Sequence, residues 1–249
     1  MQCASASKFS KSADRLGLFV GIFICLLTFL PVTVRAGSRP DRIIIGFEQA
    51  ARNKDMPPPW QIKVRYGNAG VALTADRGET VLHLSCVNAS FGVERPVSIS
   101  PRTHPVVYWS WRVVKLPEAG DVRNKMLNDQ AFQLMFLFEG NRIISYVWDA
   151  NAPKGTITDE SVGWPMNLRV KVLVVASGRV SGSWQIVRRN ILEDYKKLFH
   201  EEPAGLIGMR IQTNTQYTHD NAEGFVRSVI FSGASDMGVV ATREGVRIE

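Results

Sequence analysis

Cysteine is scarce in this chain, and that scarcity sets the first limits on what it can be. Only three of the 249 residues are cysteine. Cys3 and Cys25 fall in an N-terminal segment that reads as a leader, so Cys86 is the single thiol left and no internal disulfide framework is expected. Stability must then come from a core. Cys86 follows Val81-Leu82-His83-Leu84-Ser85 and reads as a small buried apolar residue. The four histidines, His83, His104, His200 and His219, lack metal-ligand spacing. No Gly-x-Ser-x-Gly elbow occurs, and internal repeats and low-complexity segments are absent. No catalytic signature is found, and neither a cofactor nor a metal is expected.

Charge excludes less. The formal balance is +7. The leader carries Lys8, Lys11, Arg15 and Arg35 against Asp14, so its removal lowers the balance to +4. A charge that mild does not point to nucleic acid.

The leader reading rests on a basic stretch (Lys8 to Arg15), an uncharged run from Leu16 to Leu30, and small residues at Val34 and Ala36. Cleavage is expected after Ala36, leaving 213 residues. Residues 37–249 then form one domain, with a core at about 43–231. The alternative is a retained anchor, because the uncharged stretch continues to Val34 and approaches the roughly 20 residues of a spanning helix. It would be the only membrane contact. Pro31 and the Val-Arg-Ala ending favour cleavage, and either reading predicts an exported, periplasmic or secreted protein.

What fills the rest of the chain is short strands. Ile43 to Phe47 is continuously apolar, whereas Trp60, Ile62, Val64 and Tyr66 alternate with polar residues, as in half-buried strands. Turn signals at Gly67-Asn68 and Arg77-Gly78 flank Val71 to Thr74. Strands are expected at Thr80 to Cys86, Phe91 to Ile99, Val107 to Val113, Phe132 to Phe138, Ile144 to Trp148, Leu168 to Val174, Ser183 to Arg189, Leu206 to Thr213 and Phe225 to Phe231. Pro96 suggests an edge or a bulge in its strand. Residues Asn151 to Pro165 read as a long loop. Asn190 is placed to cap one helix, Ile191 to Phe199, with Ile191, Tyr195, Leu198 and Phe199 on one face. The pattern predicts an all-β, two-sheet antiparallel sandwich, jelly-roll-like, with one short helix.

Alternation also sorts the side chains. Val107, Trp109, Trp111 and Val113 share one face, and so do Phe132, Leu134, Phe136 and Phe138; both read as core. The opposite faces collect Ser110, Arg112, Gln133, Arg169, Lys171, Arg210 and Gln212. On neighbouring strands these would form one polar, cationic surface suited to a sugar with carboxylate or phosphate groups, because arginine forks match planar anions. A solvated outer sheet face is the plainer reading. Of the six tryptophans, Trp148 at a strand end and Trp164 in the long loop are the candidates to stack on sugar rings, the others being core.

Lys125, Asn128 and Asp129 interrupt two apolar runs. They read either as a ligand clamp or as a surface helical turn. The candidate ligand-binding set is therefore Arg112, Lys125, Asp129, Tyr146, Trp148 and Asp194. A glycan, acidic or neutral, is the expected partner. A polysaccharide hydrolase or lyase using Asp129 or Asp194 with Lys125 is the second reading, and a structural module that binds another protein is the third.

Several segments together carry a family likeness: Tyr108 to Pro117 (YWSWRVVKLP), Val122 to Asp129 (VRNKMLND), Tyr146 to Trp148 (YVW), Trp184 to Arg189 with Asp194-Tyr195 and Phe199, and the Thr213 to Asn221 loop. In this order they resemble the DUF3047 family of exported bacterial proteins. The resemblance implies a periplasmic or secreted protein with a jelly-roll-like sandwich similar to carbohydrate-binding modules, and no established activity. The family's C-terminal loop usually reads Thr-Asp-Thr-Asp-Asn. Here Asn214 and Gln216 replace the acids, which argues against a cation role for the loop.

Overall fold

The computed structural model describes residues 42–47, 56–162, 167–178, 180 and 182–234. The leader with its cleavage point, Trp164 and the tail after residue 234 lie outside the described residues.

Among the described residues the chain forms fourteen strands and one α-helix. One seven-stranded sheet holds β1 (Arg42–Ile45), β3 (Gly70–Asp76), β4 (Glu79–Val87), β6 (Val106–Lys115), β11 (Gln185–Asn190), β13 (Asn221–Val226) and β14 (Val229–Ser232). The other runs in the order β2 (Gln61–Tyr66), β5 (Ser90–Ile99), β12 (Leu206–Asn214), β7 (Gln130–Phe138), β8 (Arg142–Asp149), β10 (Leu168–Ser177) and β9 (Ile157–Val162). They are called here the β6 sheet and the β7 sheet. Two packed sheets and a single helix are the architecture the alternation predicts.

Aromatic side chains fill the space between the sheets. Trp109 of β6 lies 5.3 Å from Tyr146 of β8 between ring centres, Trp111 lies 5.9 Å from Trp148, and Phe136 lies 5.4 Å from Phe231. All six are buried. A buried Phe or Val in such a layer contributes roughly 1.5–3 kcal/mol. At the β3–β4 hairpin, Arg77 and Gly78 both take positive φ (51° and 84°), the backbone that a two-residue turn between twisted strands requires.

The helix α1 (Ile191–Phe199) begins where expected. The Asn190 side chain accepts a hydrogen bond from the Glu193 N–H at 3.1 Å, and acids stand in the first turn with lysines in the last. Ile191, Tyr195, Leu198 and Phe199 are buried, as the helical spacing predicts, and so is Asp194. Pro96 fits both readings of its strand. It lies past the last β5 residue paired with β2, beside the register shift at Leu206/Gly208.

Three expectations are corrected. The segment read as a long loop after Asn151 contains β9, an edge strand whose Thr158, Asp159, Glu160 and Ser161 give no apolar alternation to detect. That extra reversal makes β10 run parallel to β8, the one parallel pairing in an otherwise antiparallel β7 sheet. The run Phe225 to Phe231 is two strands rather than one. Both β13 and β14 pair with β6, and between them the Arg227 N–H donates to the Ser110 carbonyl at 3.0 Å.

The third correction concerns the single cationic face, which is divided three ways. Ser110 and Arg112 point out of the β6 sheet, opposite the core residues Trp109 and Trp111. Gln133, Arg210 and Gln212 point out of the β7 sheet. Arg169 aligns with Arg142, and Lys171 with Ile144, on the core side of that sheet. There Arg169 lies over the Phe199 ring at 5.9 Å and Lys171 pairs with Asp159. The strands are neighbours only within each sheet, and sequence alternation does not say which sheet a strand joins.

Candidate ligand-binding face

The candidate residues occupy five separate settings. Arg112 belongs to a row of flat groups on the β6 sheet: His83 stacks on Phe225 at 4.5 Å, Arg112 lies over Phe225 at 4.2 Å and Trp184 at 5.2 Å, and Arg227 lies over Trp184 at 4.2 Å. Asp76 closes the row by accepting bonds from Trp184 Nε1 and Arg227 Nη2, each at 2.9 Å. Burial pushes the Asp76 carboxyl up, but these bonds and the Arg112 and Arg227 charges pull it below the usual value.

Tyr146 and Asp194 form a buried tie. The Tyr146 hydroxyl donates to Asp194 Oδ2 at 2.6 Å, and Arg189 donates to the same oxygen through Nε at 2.8 Å and to Oδ1 through Nη2. This joins β8 of one sheet to α1 and to β11 of the other. Burial pushes the Tyr146 phenol well above its ordinary value, and the Asp194 charge adds to it. Trp148 is 1% exposed and donates from Nε1 to the Gly178 carbonyl at 3.2 Å. A stacking platform needs an open ring face, so Trp148 is core and not a platform.

Asp129 is fully buried and its oxygens are taken. Oδ2 accepts from the Tyr217 N–H (2.9 Å), the Thr218 N–H (2.7 Å) and the Thr218 hydroxyl (2.8 Å), and Oδ1 accepts from Asn214 (2.9 Å). It fastens the 215–219 loop to the start of β7. Lys125 is exposed, on a single 3-10 turn, Lys125–Leu127, capped by Asn124. Cys86 is buried, its Sγ at 3.2 Å from the Ala89 carbonyl, and burial pushes its thiol up. Among the described residues no group of His, Cys, Asp or Glu is arranged to hold a metal.

The outer face of the β7 sheet is where polar side chains converge. Register places them in rows. Gln61 on β2 opposes Glu94 on β5, which opposes Arg210 on β12, then Met135 on β7, then Ser145 on β8. The adjacent row runs from Lys63 past Gly92 to Gln212, Gln133, Val147 and Val174. The polar groups gather on β2, β5 and β12, whereas over β8 and β10 the second row is aliphatic (Val147, Val174) and the first passes through Ser145 to Val172.

The aliphatic half is covered. Val147, Val172 and Val174 pack with Val122 and Ala152 in a small second core. Asp149 holds that cover in place: its Oδ2 accepts from the Val122 N–H at 2.9 Å, and its Oδ1 accepts from the Asn151 and Ala152 N–H groups at 2.9 and 2.6 Å. Burial raises the Asp149 carboxyl above its ordinary value, against these bonds. From Val122 the chain continues as a strap to Asn128, whose Nδ2 donates to Glu160 of β9 at 2.7 Å. Its inner border is a chain of amides. Gln130 donates to Asn128 Oδ1 at 2.6 Å, and Gln133 donates to Gln130 and to Asn214 Oδ1, the latter at 2.8 Å.

The strap leaves the polar half open. Side-chain exposure is 48% for Lys63, 36% for Glu94 and 27% for Arg210. Gln133, Arg210 and Gln212 are among the polar-face residues that alternation identifies. Gln61 and Lys63 of β2 and Glu94 of β5 are not; β2 reads as half-buried and is exposed along its whole length, and Glu94 joins the face only through the pairing of β5 with β12.

Residues 59–230 match the model of DUF3047, a protein family of unknown function. The chain belongs to the DUF3047 family. No curated protein matches this DUF3047 chain in sequence. Among solved structures it is similar to the xyloglucanase domain of NopAA, a type three effector from Sinorhizobium fredii in complex with cellobiose, with a TM-score of 0.45, 11% identity, and coverage of 70% of this chain and 92% of that one. It is also similar to an endo-1,4-beta-xylanase from Trichoderma reesei (TM-score 0.39, 12% identity, 68% and 97% covered). A third is the family 11 xylanase from Neocallimastix patriciarum (TM-score 0.34, 10% identity, 76% and 95% covered). With scores and identities this low, the likeness carries neither ligand nor reaction to the DUF3047 chain.

Proposed function

We propose that this DUF3047 protein is an exported glycan-binding sandwich, its ligand lying along the open polar half of the β7 sheet. The observation that carries the reading is the row pairing of Arg210 and Gln212 with Glu94 and Gln133 across adjacent strands. Sugars present closely spaced hydroxyls that both donate and accept. Side-chain amides do both, a carboxylate accepts and a guanidinium donates, so this set matches hydroxyls of either polarity. Strands set these groups about 4.8 Å apart, a regular ladder for an extended chain.

The hydrolase reading requires Asp129 or Asp194 to act with Lys125. That arrangement is not formed: Asp129 is bound to the 215–219 loop, Asp194 is tied between the sheets to Arg189 and Tyr146, and Lys125 is exposed on the strap.

Affinity gel electrophoresis against a panel of acidic and neutral polysaccharides tests the proposal. Binding that weakens in Gln212→Ala supports it. Retention by no polysaccharide would sink it, and loss in Arg112→Ala alone would move the ligand to the β6 sheet. Export belongs to the same proposal, with a mature N-terminus at Gly37 expected by mass spectrometry of envelope protein.

A further inference from the structure

Arg210 stands out within the open half. Its side chain crosses β5 over Gly92, where an added Cβ would lie 2.9 Å from Arg210 Nε. Only a glycine leaves room for the guanidinium there. That Nε is buried and has no acceptor. Nη1 comes 3.6 Å from Glu94 Oε2, close enough for an ion pair but too long for a hydrogen bond.

The surrounding charge is unbalanced. Lys63 Nζ lies 3.8 Å from the other Glu94 oxygen, and the Arg65 charge also bears on Arg210. Two cations therefore share one carboxylate, with the charge of a third bearing on Arg210. Burial presses the Arg210 pKa down, Glu94 opposes it and Arg65 adds to it, yet a guanidinium stays charged throughout the physiological range. The Arg210 side chain is 27% exposed and shares its one carboxylate with Lys63, so the outer nitrogens of its guanidinium stay open to an acceptor from a ligand.

We propose that Arg210, backed by Lys63 and Arg65, is the seat for the carboxylate of a uronic acid residue. The inference rests on the glycan-binding reading above and narrows it to acidic glycans. A carboxylate is planar and offers two acceptors to the guanidinium fork, which a sugar hydroxyl does not. Gln212, which pairs with Gly92 across the strands, remains to take hydroxyls of the same ligand, with the buried Gln133 holding the amide border behind it.

Calorimetric titration of the full protein with uronic acid oligosaccharides and with their carboxyl-reduced, neutral counterparts tests this directly. The uronate form should bind at least about 30-fold more tightly than the reduced form, and Arg210→Ala should erase that preference. Arg210→Lys should restore little of it, since an ammonium lacks the fork. Because the reduced ligand probes the seat without altering the protein, misfolding of a variant cannot imitate the result. Equal affinity for both forms would overturn the carboxylate seat while leaving glycan binding intact. A sulfated neutral glycan binding as tightly as the uronate, with the same dependence on Arg210, would overturn the assignment to carboxylate. Binding of neither form, nor of any other glycan, would overturn the glycan reading itself.

Discussion

Replacing Asp194 with asparagine keeps its shape and removes its charge, which isolates what the buried tie contributes. In the native fold its two oxygens serve Tyr146 from β8 and Arg189 from β11. Asp194→Asn leaves a buried hydroxyl facing a weaker acceptor and a guanidinium without its counter-charge. Breaking a buried pair costs about 3–5 kcal/mol. The Arg189 side chain is 32% exposed, so solvent relieves part of the cost, and about 2–3 kcal/mol is expected. For a domain of this size that corresponds to a fall in Tm of roughly 4–12 °C. Tyr146→Phe removes one charge-assisted bond and should cost about 1.5–3 kcal/mol. The double variant should cost less than the sum, because both changes remove the same contact. Urea unfolding followed by tryptophan fluorescence measures all three. The tie also predicts an alkaline limit. The folded Tyr146 pKa lies above its unfolded value of about 10, so its contribution is present below that pH and lost as pH rises above it. Absorbance near 295 nm should show this tyrosine ionising only as the protein unfolds, and Tyr146→Phe should remove that part of the pH dependence. An Asp194→Asn protein within about 0.5 kcal/mol of wild type, with strictly additive effects, would refute the reasoning.

Two further outcomes follow from the strap and its neighbouring floor. Asp149→Ala leaves the Val122, Asn151 and Ala152 N–H groups without their acceptor, and should cost about 3–5 kcal/mol and speed tryptic cleavage at Arg123 and Lys125; an unchanged cleavage rate would mean that the strap does not depend on Asp149. Gly92→Ala sets a Cβ 2.6 Å from the Ile211 carbonyl oxygen, so a loss of at least about 2 kcal/mol is expected in the same unfolding assay, and a neutral effect would show that β5 and β12 can separate there.

The core is legible because period-two alternation acts locally: it turns Trp109 and Trp111 to one face whatever they meet there. The helix is legible for the same reason, since Asn190 and the spacing of Ile191, Tyr195, Leu198 and Phe199 lie within one short segment. What alternation does not carry is which strand lies beside which. Arg112 and Arg210 both point away from apolar neighbours, and only the pairing of β6 with β13 and of β12 with β7 puts them on different sheets. Trp148 illustrates a second limit. Its position at a strand end suggests exposure, but the ring packs against Trp111 in the core and its Nε1 finds an acceptor in the Gly178 carbonyl.

The polar interruption at Lys125 to Asp129 is the most instructive divergence. As a bare sequence it suggests a clamp made of its charged ends, whereas in the fold Asp129 is spent on the 215–219 loop and the residue that ties the strap to β9 is the uncharged Asn128. Valines on β8 and β10 would otherwise form an exposed apolar patch, and a strand end can supply the remedy because consecutive residues face opposite ways. Trp148 closes the core on one side while Asp149, next in the chain, anchors the strap on the other. The border this creates is built of amides, and the charges of the open half come from β2, β5 and β12. Under the proposed function, shape and charge are thereby assigned to different residues. A change at Gln130 or Gln133 should weaken every glycan alike, whereas a change at Arg210 should alter the choice between acidic and neutral ones.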